Sequence, residues 1–118
     1  MSNVAIDRFG EVLMTRVRDE SIDKWKSIVR GQMATSDEAA AKLVRLEPNA
    51  KRIFVSLLPH VVDTVIHNLL WTLEQSQEIS VRVKAGRATV QSVAEVSDGL
   101  CGELYGTKGW ISRFSKEK

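Results

Sequence analysis

Within the stretch HVVDTVIHNLLWTLEQSQ, residues 60–77, His60, Asp63 and His67 recur at helical spacing, and Glu74 continues the same line. On an α-helix these four side chains share a face, and imidazole and carboxylate groups one turn apart are able to ligate zinc or iron, or to move protons. The spacing is not H-E-x-x-H, and the chain has only two histidines, so a closed metal centre would need further ligands from elsewhere. Thr64, Asn68, Trp71 and Gln75 extend the face into a polar stripe with an indole in it. Val62, Val65, Ile66, Leu69 and Leu73 fall on the other side and are expected to be core. The stripe has three readings at this point: a solvated surface with an Asp63–His67 pair, a metal or acid/base site, or a protein interface.

Trp71 narrows those readings, because a free amphipathic helix has no reason to leave an indole in water. Either a segment of the same chain covers it or a partner does. The C-terminal run Trp110-Ile111-Ser112-Arg113-Phe114 is the expected cover, since it supplies apolar groups together with basic ones. Residues 60–78 contain three acids and no Lys or Arg, whereas residues 79–118 contain seven bases and four acids, so the two regions complement each other in charge.

Other residues with chemical potential carry weaker patterns. Cys101, the single cysteine, lies between Leu100 and Gly102 and reads as a small buried hydrophobe; no base accompanies it as a nucleophile would require. Gly99, Gly102, Gly106 and Gly109 match neither a P-loop nor a dinucleotide-binding turn and read as turns around Leu104 and Tyr105. Glu103 and Tyr105 could join the His67 stripe as an alternative. Arg82, Lys84, Arg87, Lys108, Arg113, Lys116 and Lys118 form a basic set with little aromatic interleaving, which argues for a solvated tail and against nucleic-acid binding.

The elements that must position these groups are mostly helical. Residues 4–31 carry two apolar faces, Ile6, Phe9, Leu13 and Val17 followed by Ile22, Trp25, Ile28 and Val29, rotated by roughly 120°. Either two helices meet at Arg18-Asp19-Glu20-Ser21, with Asp19 or Ser21 as cap, or one long helix changes packing partner there; a bend or break is the expectation, with a stop at Gly31. Ser36 should cap a short helix through AAAKLVRLE, and Pro48 should open another that runs to Pro59. Pro59 should kink or restart the chain before the long helix. After Gln77, Ile79, Val81 and Val83 alternate with polar residues, and Ala85-Gly86 leads to Ala88-Thr89-Val90, which together predict a hairpin. Ser92 to Val96 should form a further helical turn.

A chain of 118 residues, 43% hydrophobic and 27% charged, suits one globular domain spanning residues 1–118. Its apolar runs fall short of the ~20 residues needed to span a bilayer. The opening MSNVAIDRFGEV lacks the pattern of a signal peptide. Together with the solitary cysteine, this leads to the expectation of a cytoplasmic protein without membrane contact.

Three runs, FGEVLMTRVRD at 9–19, VDTVIHNLLWTLEQ at 62–75 and VSDGLCGELYGTKGWISRFSKE at 96–117, resemble small single-domain bacterial proteins of unassigned function. In size, lone cysteine and lack of a catalytic motif the chain is also similar, as a class, to bacterial immunity proteins, which neutralise toxins by binding them. The combined expectation is a mainly α domain with a minor β part, compact around a long central amphipathic helix and with one small hairpin after it. The expected function is a non-enzymatic protein-binding module, conceivably an immunity protein, without cofactor. Its partner is a protein, and a second copy of the chain is among the candidates. The alternative is a small metal-dependent or acid/base enzyme on the His60/Asp63/His67 face.

Overall fold

The computed structural model describes residues 3–118, so Met1 and Ser2 of the stretch read for a leader lie outside it. Helix α1, Val4–Val12, is capped by Asn3, whose carboxamide oxygen accepts from Ala5 N and Ile6 N at 2.9 and 3.2 Å. It passes without interruption into a π-helical segment, Leu13–Asp19, and then into α2, Glu20–Val29. The expected break is therefore absent, and one long helix changes packing partner instead. The wider i→i+5 turns rotate the following side chains by about one residue, roughly 100°, so one continuous helix carries two differently aimed apolar faces. The same rotation moves Val17 out to solvent and turns the adjacent Arg18 and Asp19 inward.

Arg30 and Gly31, the latter at φ +115°, end α2 where the sequence placed the stop. Helix α3, Glu38–Val44, starts one residue later than expected: Asp37 is the cap, its Oδ2 accepting from Ala40 N at 2.9 Å. Helix α4, Pro48–Gln75, has Pro48 in its first turn and is capped by Glu47, which accepts from Ala50 N at 2.6 Å. It continues through Pro59, where a kink or restart was expected, and does not restart. Proline removes only one helical hydrogen bond, and the packing along α4 outweighs that loss. The resulting 28-residue helix is long and apolar enough, by length and composition, to cross a membrane, which its two halves taken separately were not.

The hairpin comprises β1, Val83–Ala85, and β2, Ala88–Val90, antiparallel with Val83 opposite Val90 and Ala85 opposite Ala88. Gly86, at φ +63°, allows the tight turn. Ile79 and Val81 precede the ladder, so the strand is shorter than its alternation suggested. Helix α5, Val93–Val96, a 3-10 turn, Cys101–Leu104, and helix α6, Trp110–Phe114, complete the chain. The protein is thus mainly helical with a minor β part.

The main core joins Ile6, Leu13 and Met14 to Ile66, Leu70 and Leu73 of α4, with Val83, Val93, Leu100, Leu104 and Trp110 closing over them. Helix α6 lies against α1 and the π-helical segment, and the 3-10 turn is what docks on α4. Trp110 is fully buried edge-on to Phe9, ring centroids 5.7 Å apart, over Gly10. A Cβ at position 10 would fall inside the indole ring, so this close approach requires glycine.

Candidate functional site

Helix α4 presents four rows of side chains, each stepping by four residues, and the rows have different environments. Phe54, Leu58, Val62, Ile66 and Leu70 form the inward row, each buried or half-buried. Ser56, His60, Thr64, Asn68 and Thr72 form a polar row that is exposed throughout. Asp63 and His67 belong to a half-buried row that continues to Trp71. Ile53, Leu57, Val61, Val65 and Leu69 make up the fourth row: aliphatic, yet between 46% (Leu69) and 64% (Val65) exposed.

Two core expectations change as a result. Val65 and Leu69 are solvent-facing, and Leu70, fully buried, takes the central position. Two neighbouring i+4 rows are both aliphatic, and the other elements cover only one of them.

The predicted polar stripe is divided between internal bonding and solvent. Asp63 receives Arg18, whose Nε donates to Oδ1 at 2.6 Å and Nη2 to Oδ2 at 3.3 Å. The expected Asp63–His67 pair does not form, because His67 Nδ1 lies 3.0 Å from the hydroxyl of Tyr105. Glu74 Oε1 accepts from Cys101 N at 3.2 Å, and so ties the 3-10 turn to α4. Thr64 bonds back to the carbonyl of His60 at 2.9 Å. His60, Thr64, Asn68, Trp71 and Gln75 stay exposed. The structure therefore brings Tyr105 to the stripe, as one alternative proposed, but leaves Glu103 bonded to Ser97 at 3.0 Å.

Trp71 is 50% exposed. The C-terminal segment expected to cover it is committed elsewhere, Trp110 to α1 and Phe114 to the main core. The expected charge match between α4 and the C-terminal segment does not form among the described residues: Asp63 pairs with Arg18, while Arg113, Lys116 and Glu117 pair with Asp7, Asp23 and Lys26. Arg18 is 1% exposed and also donates from Nη1 to Ser115 Oγ at 2.6 Å and to the carbonyl of Glu117. Asp19 beside it accepts from the Ser115 hydroxyl and from the backbone N–H groups of Lys116 and Glu117 at 3.0 and 3.3 Å. Lys26 Nζ holds Glu117 Oε2 at 2.6 Å. This buried network was not visible in the sequence, since two adjacent charged residues ordinarily lie on the solvent side. The change of apolar face at residues 18–21 was the signal that could have located it.

A shallow depression of about 430 Å³ is lined by His60, Asp63, Thr64, His67 and Tyr105. Burial, and then the charge of Asp63, raises the Tyr105 hydroxyl above its ordinary pKa, so it is held protonated. The Cys101 thiol is likewise raised, first by burial and then by Glu74. Among the described residues no three His, Cys, Asp or Glu side chains are placed to share a metal ion. The remaining basic residues at the C-terminus are partly used within the chain: Arg113 with Asp7 at 3.0 Å and Lys116 with Asp23 at 2.8 Å.

A larger and more apolar hollow lies between α2, α3 and the first half of α4. It measures about 630 Å³ and is walled by Trp25, Leu43, Phe54, Leu57, Leu58 and Val61 among others. Trp25 and Phe54 meet edge to face at 6.3 Å between centroids and form its floor with Leu58. Leu57 and Val61 belong both to the hollow and to the exposed aliphatic row, so the two surfaces are continuous. Comparison of the chain with protein families, curated proteins and solved structures finds no match.

Proposed function

We propose that the protein is a non-enzymatic protein-binding module, and that its contact surface is the exposed aliphatic row of α4 together with the adjoining hollow. One observation carries this reading: five aliphatic side chains on a single helical row are about half exposed and merge with an apolar groove. Contiguous apolar surface of this kind, bordered by polar residues, is characteristic of interaction sites. The border is the adjacent row of His60, Thr64 and Asn68, with Trp71 and Gln75 at its end. The predicted stripe then serves as the polar rim of an interface whose apolar centre lies one row away. Toxin neutralisation is one form this role could take. The alternative of an enzyme on the His60/Asp63/His67 face receives no support from the geometry, since Asp63 is ion-paired and His67 is bonded to Tyr105.

The test is an apolar fluorescent probe such as 8-anilinonaphthalene-1-sulfonate, added to the native protein. Binding should be measurable, and a Leu57→Ser/Val61→Ser variant with unchanged far-UV circular dichroism should lose most of it. Equal binding by the variant would place the apolar surface elsewhere and remove the basis of the proposal.

A further inference from the structure

We propose that the hollow between α2, α3 and α4 binds a free medium-chain fatty acid in its carboxylate form. The tail lies along Phe54, Leu58 and Val61, and the head at Lys42 and Lys51. The proposal shares with the protein-binding reading only the premise that the hollow is open to ligands. The walls decide the tail. Apart from Lys42 and the indole N–H of Trp25, every side chain around the hollow is a hydrocarbon. An enclosed donor or acceptor would lose its water there without gaining a partner, whereas a polymethylene chain has none to lose. The volume, about 630 Å³, falls within the usual range for small-ligand sites. A peptide helix is about 10–12 Å across, so a length of about 12 Å displaces roughly 900 Å³ or more and could rest on the mouth of the hollow without filling it.

Helix geometry sets the direction of the ligand. Helix α3 rests on α2, and α2 on α4, while α3 and α4 scarcely touch, so the hollow is a trough open along α4. Its α4 wall runs from Phe54 to Val62, eight residue steps or about 12 Å. Lys51 precedes Phe54 by three residues and Leu58 by seven, which places it within about 20° of the Leu58 direction, on the inward face and half-buried. Lys42 stands on the α3 side. Both lysines lie within five residues of Glu47, in the turn that joins α3 to α4, so they mark one end of the trough. At the other end stands Asp63, whose carboxylate already takes two hydrogen bonds from Arg18, and an anionic head finds no free cation there.

Charge selects the head group. The span 25–62, which contains every wall residue, carries six Lys/Arg and three Asp/Glu, whereas the rest of the chain carries eleven and twelve. The hollow thus sits in the positive part of a molecule whose remainder is slightly negative. Of the three acids, Asp37 and Glu47 are turned onto helix N-termini, where they accept from Ala40 N and Ala50 N. The third, Glu38, lies 3.4 Å from Lys42, but both side chains are more than two-thirds exposed. Solvent screens that pair, and it yields to a carboxylate that the buried tail holds at the same ammonium. Among the described residues no acid pairs with Lys51. A cationic head at this end would be repelled, and a neutral one would gain nothing from the two lysines.

The experiment titrates dodecanoate, below its micellar concentration, into the native full chain, by calorimetry for affinity and by displacement of bound 8-anilinonaphthalene-1-sulfonate for location. Dodecanoate should bind once per chain, displace the probe and bind at least about tenfold more tightly than dodecyltrimethylammonium, which has the same tail and the opposite charge. Lys42→Glu/Lys51→Glu, with unchanged far-UV circular dichroism, should weaken dodecanoate at least about tenfold and leave the neutral dodecyl maltoside within about twofold. Lys42→Gln/Lys51→Gln should give an intermediate loss, and Leu57→Ser/Val61→Ser should weaken every one of these amphiphiles. Equal affinity for the two charged amphiphiles would overturn the proposal, as would a charge-reversed variant that still prefers dodecanoate. If the probe binds in a Leu57- and Val61-dependent way and dodecanoate fails to displace it, the fatty acid is overturned and the binding-surface reading stands; if neither binds, both fail. Cosedimentation with phosphatidylcholine/phosphatidylglycerol vesicles, without displacement of the probe by free dodecanoate, would assign the hollow to a lipid surface and overturn the free ligand.

Discussion

The two halves of α4 carry similar numbers of aliphatic side chains but are covered very differently. From Val62 onward one side of the helix is enclosed: Ile66, Leu70 and Leu73 sink into the main core, Asp63 is held by Arg18, and Tyr105 lies on His67, while Val65 and Leu69 on another side stay open. The 3-10 turn and α5 dock on this half, and the hairpin and α6 pack on α1. Before Val62 only α2 and the seven-residue α3 are at hand, and they leave the hollow above Trp25 and Phe54 open. Apolar composition makes burial favourable, but the length and direction of the neighbouring segments decide which row obtains it. In this chain the enclosed side of the second half supplies stability, and the open hollow with the aliphatic row supplies surface for contact.

That division is most directly broken at Trp110 and Arg18. Trp110→Ala should cost ~3–5 kcal/mol, because it empties a fully buried site where Gly10 leaves no side chain to collapse inward. Trp25→Ala, on the floor of the open hollow, should cost less than half as much. Urea melts of the two variants side by side check this, and equal losses would mean that the hollow is as much a core as the enclosed half. Arg18→Met should be comparably damaging, at ~3–5 kcal/mol, since it strands the Asp63 carboxylate without its counter-ion. The double variant Arg18→Met/Asp63→Leu should recover a large part of that loss. Failure to recover would show that the bonds from Arg18 to Ser115 and Glu117, rather than the ion pair, hold the tail.

Next in size is a contrast between adjacent residues. Leu70→Ala should destabilise by ~2–5 kcal/mol, whereas Leu69→Ala, on the exposed row, should stay within ~1 kcal/mol in the monomer. Thermal melts at low concentration provide the comparison.

The same pair of leucines shows where the sequence could be read and where it could not. The helices, the opening of α4 at Pro48, the stop at Gly31 and the hairpin turn at Gly86 follow from local rules of capping, ring geometry and positive φ. The shift of apolar face between Leu13 and Ile22 was legible as well, although a π-helical segment rather than a break produces it. Periodicity could not choose between Leu69 and Leu70, because rows i and i+1 of α4 are both aliphatic and the choice depends on distant segments. Pro59 within α4, the inward turn of Arg18 and Asp19, and the exposure of Trp71 belong to the same category. Each is a local preference overridden by packing or by its absence. Of the predicted stripe, the residue types were informative, but the partners of Asp63, His67 and Glu74 lie more than twenty-five positions away in sequence.

The smallest expected effect concerns Cys101, under the enclosed half. Burial is the main reason its thiol is raised above the ordinary value of 9.0, with the Glu74 charge and hydrogen bond adding to it. A folded-state pKa above the unfolded one contributes stability that is complete below pH 9.0 and is lost as pH rises through the folded value. Labelling by an aromatic disulfide reagent should therefore be slow at pH 8 and should accelerate only on the alkaline side. Glu74→Gln removes the charge yet keeps an oxygen to accept from Cys101 N, so labelling at pH 8 should quicken modestly with little change in melting temperature. The acceleration should be partial, because desolvation remains. Labelling of native protein at the rate of a free thiol would instead mean that the 3-10 turn lifts readily from α4. The enclosed half would then be open on the timescale of the reaction, and the contrast between the two halves of the helix would be one of average position rather than of access.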